Sequence, residues 1–239
     1  EINNLNDILL NGQSSDLQSR SQSEAYLQNI ILNKQSLELY FSYLLNNSSP
    51  ANCKTLLAIV IKNYVSSYFN ADSDESMKQT NKVLTPEAVD YFKQCTLTLI
   101  EHSDSKLTPI ISEWINSIYK ANKGYRIVWP ELIDSLHQFL LKKNPALSFS
   151  IYDLIATFTS RYTNEMKSER LFEEIIDCMK ICPTMTQDAL EHIQAIISFT
   201  QNPDNSKIPS IEVSCQILKN IIIIAFNFNY QDFPEFFEE

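Results

Sequence analysis

Residues 49–70 read SPANCKTLLAIVIKNYVSSYFN, and their spacing decides the class of fold. Leu56, Val60, Tyr64 and Tyr68 recur every fourth residue, with Leu57, Ile61, Val65 and Phe69 beside them. Two adjacent rows at this interval make one broad apolar face on a helix of roughly five turns. Ser49 followed by Pro50 is a start signal. The serine can satisfy orphan backbone N–H groups, and proline's fixed φ suits the first helical position.

The same logic extends in both directions. Thr85-Pro86-Glu87 opens a helix with Val89, Phe92, Thr96 and Leu99 on one face. Leu107, Ile110, Ile111, Trp114, Ile115 and Ile118 form the next stripe, which ends near Gly124. Leu132 to Leu140 follows and is stopped by Asn144-Pro145; Ile151, Ile155, Phe158 and Tyr162 come next. Leu171 to Met179 is stopped by Pro183, Ala189 to Ile197 makes another stripe, and a last helix runs from about Ser210 to Phe228. Within it, Ile221 to Ile224 is strand-like by propensity but is read as helix, since a lone strand has no partner here. The stretch from Ala71 to Leu84, acidic and then lysine-containing, reads as an extended surface loop. About ten helices of roughly 12 to 20 residues result. Pair starts near Ile2, Gln35, Glu87, Pro130 and Glu169 give a repeat of roughly 35 to 50 residues, the HEAT/armadillo period. The expected fold is therefore all-α: a HEAT-repeat superhelix, or solenoid, of about five helix pairs in one array over residues 1–239. A compact helical bundle is the alternative.

Composition narrows function mainly by exclusion. Only two glycines, Gly12 and Gly124, are present. Phosphate-cradling loops and hairpin-rich sheets both consume glycine, so a P-loop, a Rossmann fold or a β-rich fold is improbable. The net charge of −10 is the reverse of what displacing counterions from nucleic acid requires. A basic protein partner fits that charge; so does plain solubility. Five cysteines at Cys53, Cys95, Cys178, Cys182 and Cys215 are odd in number and mostly within apolar stretches, as in reduced, buried cysteines of an intracellular protein. The first residue is Glu1 and no signal peptide is visible, which suggests a trimmed chain. The longest purely apolar run, Ile221 to Phe226, falls well short of the roughly 20 residues that span a bilayer, so no membrane insertion is expected.

Catalytic patterns are lacking. His102, His137 and His192 lie on different helices, and Cys178 and Cys182, four apart, read as core residues rather than metal ligands. No GxSxG, GxxxxGKS or GxGxxG occurs. Neither a catalytic site, a metal nor a cofactor is expected.

Three stretches carry a family resemblance. Ala58-Ile59-Val60-Ile61-Lys62-Asn63-Tyr64-Val65 is similar to the Lys-Asn-Tyr segment in the second helical repeat of importin-β-type transport receptors. Trp129-Pro130-Glu131-Leu132-Ile133 resembles the Trp-Pro-acidic-Leu-Leu opening of their fourth repeat. Ser160-Arg161-Tyr162 with Glu165 to Glu169 and Leu171, and then Asn227 to Glu238, resemble stretches particular to the importin-α re-exporters, the exportin-2 or cellular apoptosis susceptibility family. The likeness runs from about Leu5 to Glu239, with an importin-β N-terminal-type region at about 15–100. Phe69 stands where the family has tryptophan, Val128 where it has a basic residue, and the loop at 71–82 is unlike the family.

The resemblance implies the N-terminal part of a receptor that binds Ran-GTP and carries importin-α as the cargo of the full-length protein. It also implies nucleoporin contacts and shuttling between nucleus and cytoplasm. Ran contacts would come from the second helix of each pair: Pro50 to Asn70, Ser105 to Ala121 and Asn144 to Tyr162. On these, Lys62, Asn63, Tyr64, Glu113, Asn116 and Ser117 are the candidate Ran-binding residues. Trp129 and Pro130 are implied to be structural, with Trp129 wedged between repeats.

Overall fold

A computed structural model of the chain describes residues 2–28, 32–69, 85–102, 105–120, 129–164 and 168–228. Gly124, Val128 and the expected loop at 71–84 lie outside those residues, as does most of the Asn227 to Glu238 stretch. Among the described residues there is no strand. The fold is all-α, of the HEAT-repeat solenoid class that the helix spacing predicts. Packing divides the chain into two compact units, Glu1–Asn122 and Lys123–Glu239.

In the first unit α1 (Ile2–Asn11), α2 (Leu17–Gln28), α3 (Lys34–Leu45), α4 (Ala51–Phe69), α5 (Pro86–His102) and α6 (Thr108–Lys120) follow one another. The helix α3 packs on α5, and α4 packs on α6. First helices stack on first helices and second on second, which is the HEAT arrangement, because each pair leaves an apolar flank for its neighbour to bury. The starts follow local chemistry. Asn33 and Ser36 form a reciprocal capping box at α3. Thr85 Oγ1 accepts from the Ala88 N–H ahead of Pro86. At the centre Phe41, Phe92 and Trp114 meet edge to face, with centroids 5.7–6.3 Å apart. Edge-on contacts set the positive rim of one ring against the negative face of the next, adding to the burial of three large side chains.

The second unit contains α7 (Leu132–Leu140), α8 (Pro145–Thr159), α9 (Glu169–Cys178), α10 (Cys182–Gln201) and α11 (Ile208–Asn227). Three of the helices, α1, α7 and α9, are 10, 9 and 10 residues long, shorter than the expected range. Asn144-Pro145 does more than stop α7. The Asn144 side chain accepts from the Ala146 and Leu147 N–H groups and so starts α8. Pro183 likewise sits in the first turn of α10, where its missing N–H costs nothing. The isoleucine run at 221–224 is helical; α11 packs on both α8 and α10. Asn227 Nδ2 donates to Thr159 Oγ1 at 2.9 Å, so the ends of α8 and α11 lie together. One described helix, Asn205–Asn227, is long and apolar enough by composition to cross a membrane. Reading uninterrupted runs misses it, because Glu212 and Lys219 interrupt the sequence.

Polar groups lock this unit at two places. Arg161 donates to Glu174, and both side chains are almost wholly buried. Asp188 on α10, 2% exposed, accepts from Tyr152 OH at 2.7 Å and Lys143 Nζ at 2.5 Å. Lys143 also reaches Glu191 at 3.2 Å, and its backbone is left-handed with φ 52. The Asp188 hydrogen bond holds the lysine above its ordinary pKa, and the lysine in turn holds Glu191 below its own. Not all cysteines are buried as expected: Cys53 and Cys178 are, Cys95 and Cys182 are partly covered, and Cys215 is exposed. Burial pushes the Cys178 thiol up to about 12, so it is an inert core group.

Candidate functional site

The six candidate residues lie on α4 and α6 of the first unit. Lys62 Nζ donates to Glu113 Oε2 at 2.7 Å, and one turn further on Ser66 and Ser117 join Oγ to Oγ at 2.6 Å. Ser117 Oγ also donates to the Glu113 carbonyl at 3.0 Å, which leaves Ser66 as the donor between the two serines. Both rungs join residues 51 apart in sequence, so the two helices run parallel and in register. A four-residue step brings each helix back to the same face, so one rung predicts the next.

Lys62, one of the candidate contacts, is half-buried and paired with Glu113 on the neighbouring helix. Tyr64 is only 3% exposed and belongs to the interior, because it lies three residues from Ile61 and seven from Leu57 on the buried face of the helix. Asn63 and Glu113 are exposed; Asn116 and Ser117 are half-buried. The Asn116 Oδ1 and Trp114 Nε1 atoms are buried without a hydrogen-bond partner among the described residues. Beside Asn63 a groove of about 520 Å³ runs between α2 and α4. Leu27, Leu56 and Val60 line it, with Glu24 and Gln28 alongside. The surface therefore offers an exposed amide and a carboxylate, an ion-paired lysine, and an adjacent apolar slot. Such a set suits binding to a protein surface through mixed polar and apolar contacts. No group of three or more His, Cys, Asp or Glu able to hold a metal occurs among the described residues.

Comparison with known proteins gives the family signal. The Cse1 family model matches residues 158–239. Exportin-2 of Danio rerio is 23% identical over 238 residues, covering 100% of this chain and 23% of that protein. Over its whole length the chain is similar to that protein, at 23% identity. Exportin-2 of Drosophila melanogaster is 23% identical over 230 residues, 95% of this chain and 22% of the relative. The importin alpha re-exporter of Saccharomyces cerevisiae is 25% identical over 159 residues, 66% of this chain and 16% of that protein. The chain thus spans about a quarter of the length of the exportin-2 relatives it matches.

The Cse1 match takes in both the Arg161–Glu174 pair and Asn227. Trp129, in the second unit, is buried at the opening of α7, and its carbonyl accepts from the Leu132 N–H at 3.3 Å. Pro130 beside it is exposed. Sequence reading missed Ser66 and the groove residue Glu24. The one available signal for Ser66 was its four-residue step from Lys62, which repeats between Glu113 and Ser117.

Proposed function

We propose that this chain is the Ran-binding part of a nuclear export receptor whose cargo is importin-α. The observation that carries the reading is the alignment of the whole of this chain with exportin-2, over 23% of that protein's length. The polar face of α4 and α6 supports it. Asn63, Glu113 and Asn116 serve as contacts with Ran-GTP, while the Lys62–Glu113 and Ser66–Ser117 rungs fix the spacing of the two helices. Tyr64 supports the face from inside. The groove beside Asn63 accepts an apolar side chain from the partner. The protein acts by binding rather than turnover, shuttles between nucleus and cytoplasm, and meets nucleoporins on the way.

The mechanism is thermodynamic linkage. Ran-GTP and importin-α favour the same conformation of the receptor, so each raises the other's affinity by one shared factor. Hydrolysis of GTP removes that factor and releases both.

The test is a titration of the complete gene product with Ran-GTP and Ran-GDP, with and without importin-α. Binding selective for GTP and strengthened by importin-α supports the proposal, with Asn63→Arg weakening it by about tenfold and leaving the melting temperature unchanged. The 239-residue chain alone binds weakly, because later repeats share the contact. Binding indifferent to the nucleotide contradicts the reading. GTP-selective binding without importin-α capture makes the protein another importin-β-type receptor, and loss of both makes it a HEAT scaffold.

A further inference from the structure

With 29 acidic residues against 19 basic ones, a lysine of this chain ordinarily finds a carboxylate. Lys34, Lys62, Lys93, Lys143 and Lys180 each do. Lys54 does not: it is half-buried on α4 and makes no ion pair among the described residues. The register of α4 and α6 gives the reason. Lys62 meets Glu113 and Ser66 meets Ser117 at a constant separation of 51. Lys54 stands two four-residue steps earlier on the same row, where that separation matches it with Ser105, and the next residue is a second lysine, Lys106. A row closed by a carboxylate at Lys62 therefore ends in two ammonium groups.

A recess of about 190 Å³ opens at this place. Lys54 and Lys106 line it with His102 and the exposed amide of Asn47, and none of its described lining residues is acidic. Thr55 lines it too, but its hydroxyl already donates to the Ala51 carbonyl at 2.9 Å, so the lysines, the imidazole and the amide are the donors. Glu101 stands 3.8 Å from His102 Nε2 and offsets that ring's charge, which leaves the field of the recess to the two lysines.

We propose that this recess binds a phosphate monoester, carried on a phosphorylated serine or threonine of a partner protein. A half-buried ammonium without a counter-charge raises the energy of the free protein, and an arriving dianion removes that penalty. Two lysines and two further donors suit the several acceptor oxygens of a phosphate better than the two of a carboxylate. The volume falls below the roughly 300 to 1,000 Å³ of sites that enclose a whole small molecule, so the recess takes the end of a side chain and not a nucleotide. A net charge of −10 opposes approach to an anionic bilayer, whereas a single protein-borne phosphate meets only the local lysines. The recess lies about 12 Å along α4 from Lys62 and uses none of the residues assigned to Ran, so the two readings stand or fall separately.

Fluorescence anisotropy of the complete gene product with a labelled Gly-Ala-phosphoserine-Ala-Gly peptide tests the site. The expected result is saturable binding that inorganic phosphate competes away. It falls about tenfold in Lys54→Gln and in Lys106→Gln, persists in Lys54→Arg, and is unchanged in Lys142→Gln in the other unit. Lys106 is exposed, so Lys106→Gln melts with the wild type and its loss of binding reports the recess rather than the fold. Equal binding of the unphosphorylated peptide, binding indifferent to both lysine substitutions, or no binding overturns the proposal. So does Lys54-dependent binding to phosphatidylcholine vesicles containing phosphatidylinositol phosphate without binding to the peptide.

Discussion

Replacing Asp188 by alanine tests the interior of the second unit most directly. The carboxylate is 2% exposed and holds two donors, Tyr152 OH at 2.7 Å and Lys143 Nζ at 2.5 Å. The donors lose unequally. Tyr152 is itself buried, so its hydroxyl is stranded away from water, at a cost of about 1–3 kcal/mol. The Lys143 side chain is 40% exposed and still has Glu191, so its loss is about 0–1 kcal/mol. The expected destabilisation of Asp188→Ala is therefore roughly 2–3 kcal/mol, short of the roughly 3–5 kcal/mol for a fully buried pair. In a unit of this size that lowers the melting temperature by roughly 10 °C. Asp188→Asn keeps an acceptor for Tyr152 and costs about 1 kcal/mol. Urea unfolding followed by circular dichroism gives both values. The reasoning is refuted if Asp188→Ala melts with the wild type, or if adding Tyr152→Phe to it recovers no stability.

Three further outcomes follow from named contacts. At Lys143, with φ 52, glycine relieves the left-handed backbone that alanine must keep, so Lys143→Gly is about 1 kcal/mol more stable than Lys143→Ala in thermal melts; equal values would remove backbone strain from the account. His192, half-buried and 3.0 Å from Ser214 Oγ, has its pKa lowered by desolvation against the opposing pull of Asp188 and Glu191. The unfolded chain then binds the proton more readily, so stability falls as pH drops below about 6.5, and His192→Gln flattens that part of the melting-temperature profile. An unaltered profile in the variant refutes this. Ser66→Ala removes the rung to Ser117 and costs the first unit about 1 kcal/mol by denaturant titration, while the second unit's transition stays put.

Helices were legible because four-residue recurrence is a local property: Leu56, Val60 and Tyr64 reveal it without reference to any other segment. Starts were legible where a capping side chain preceded proline, as at Thr85-Pro86. What could not be read was pairing across helices. That Lys62 meets Glu113, and Lys143 meets Asp188, depends on stacking that brings residues 51 and 45 apart in sequence together. Tyr64 shows the same limit. It stood in the quoted motif and on the apolar row at once, and only packing decides which of the two governs its side chain. The resemblance was legible from short motifs, but their roles in binding were not, since a motif fixes residue identity rather than exposure.

The two tryptophans fall one to each compact unit, and both are buried: Trp114 within the Phe41–Phe92 cluster and Trp129 at the opening of α7. Indole emission therefore comes from two dark, dry sites and reddens as either is wetted. Trp114→Phe leaves a protein whose fluorescence speaks only for the second half, and Trp129→Phe one that speaks only for the first. The chain thus carries its own pair of optical reporters, which can distinguish one cooperative unfolding event from two.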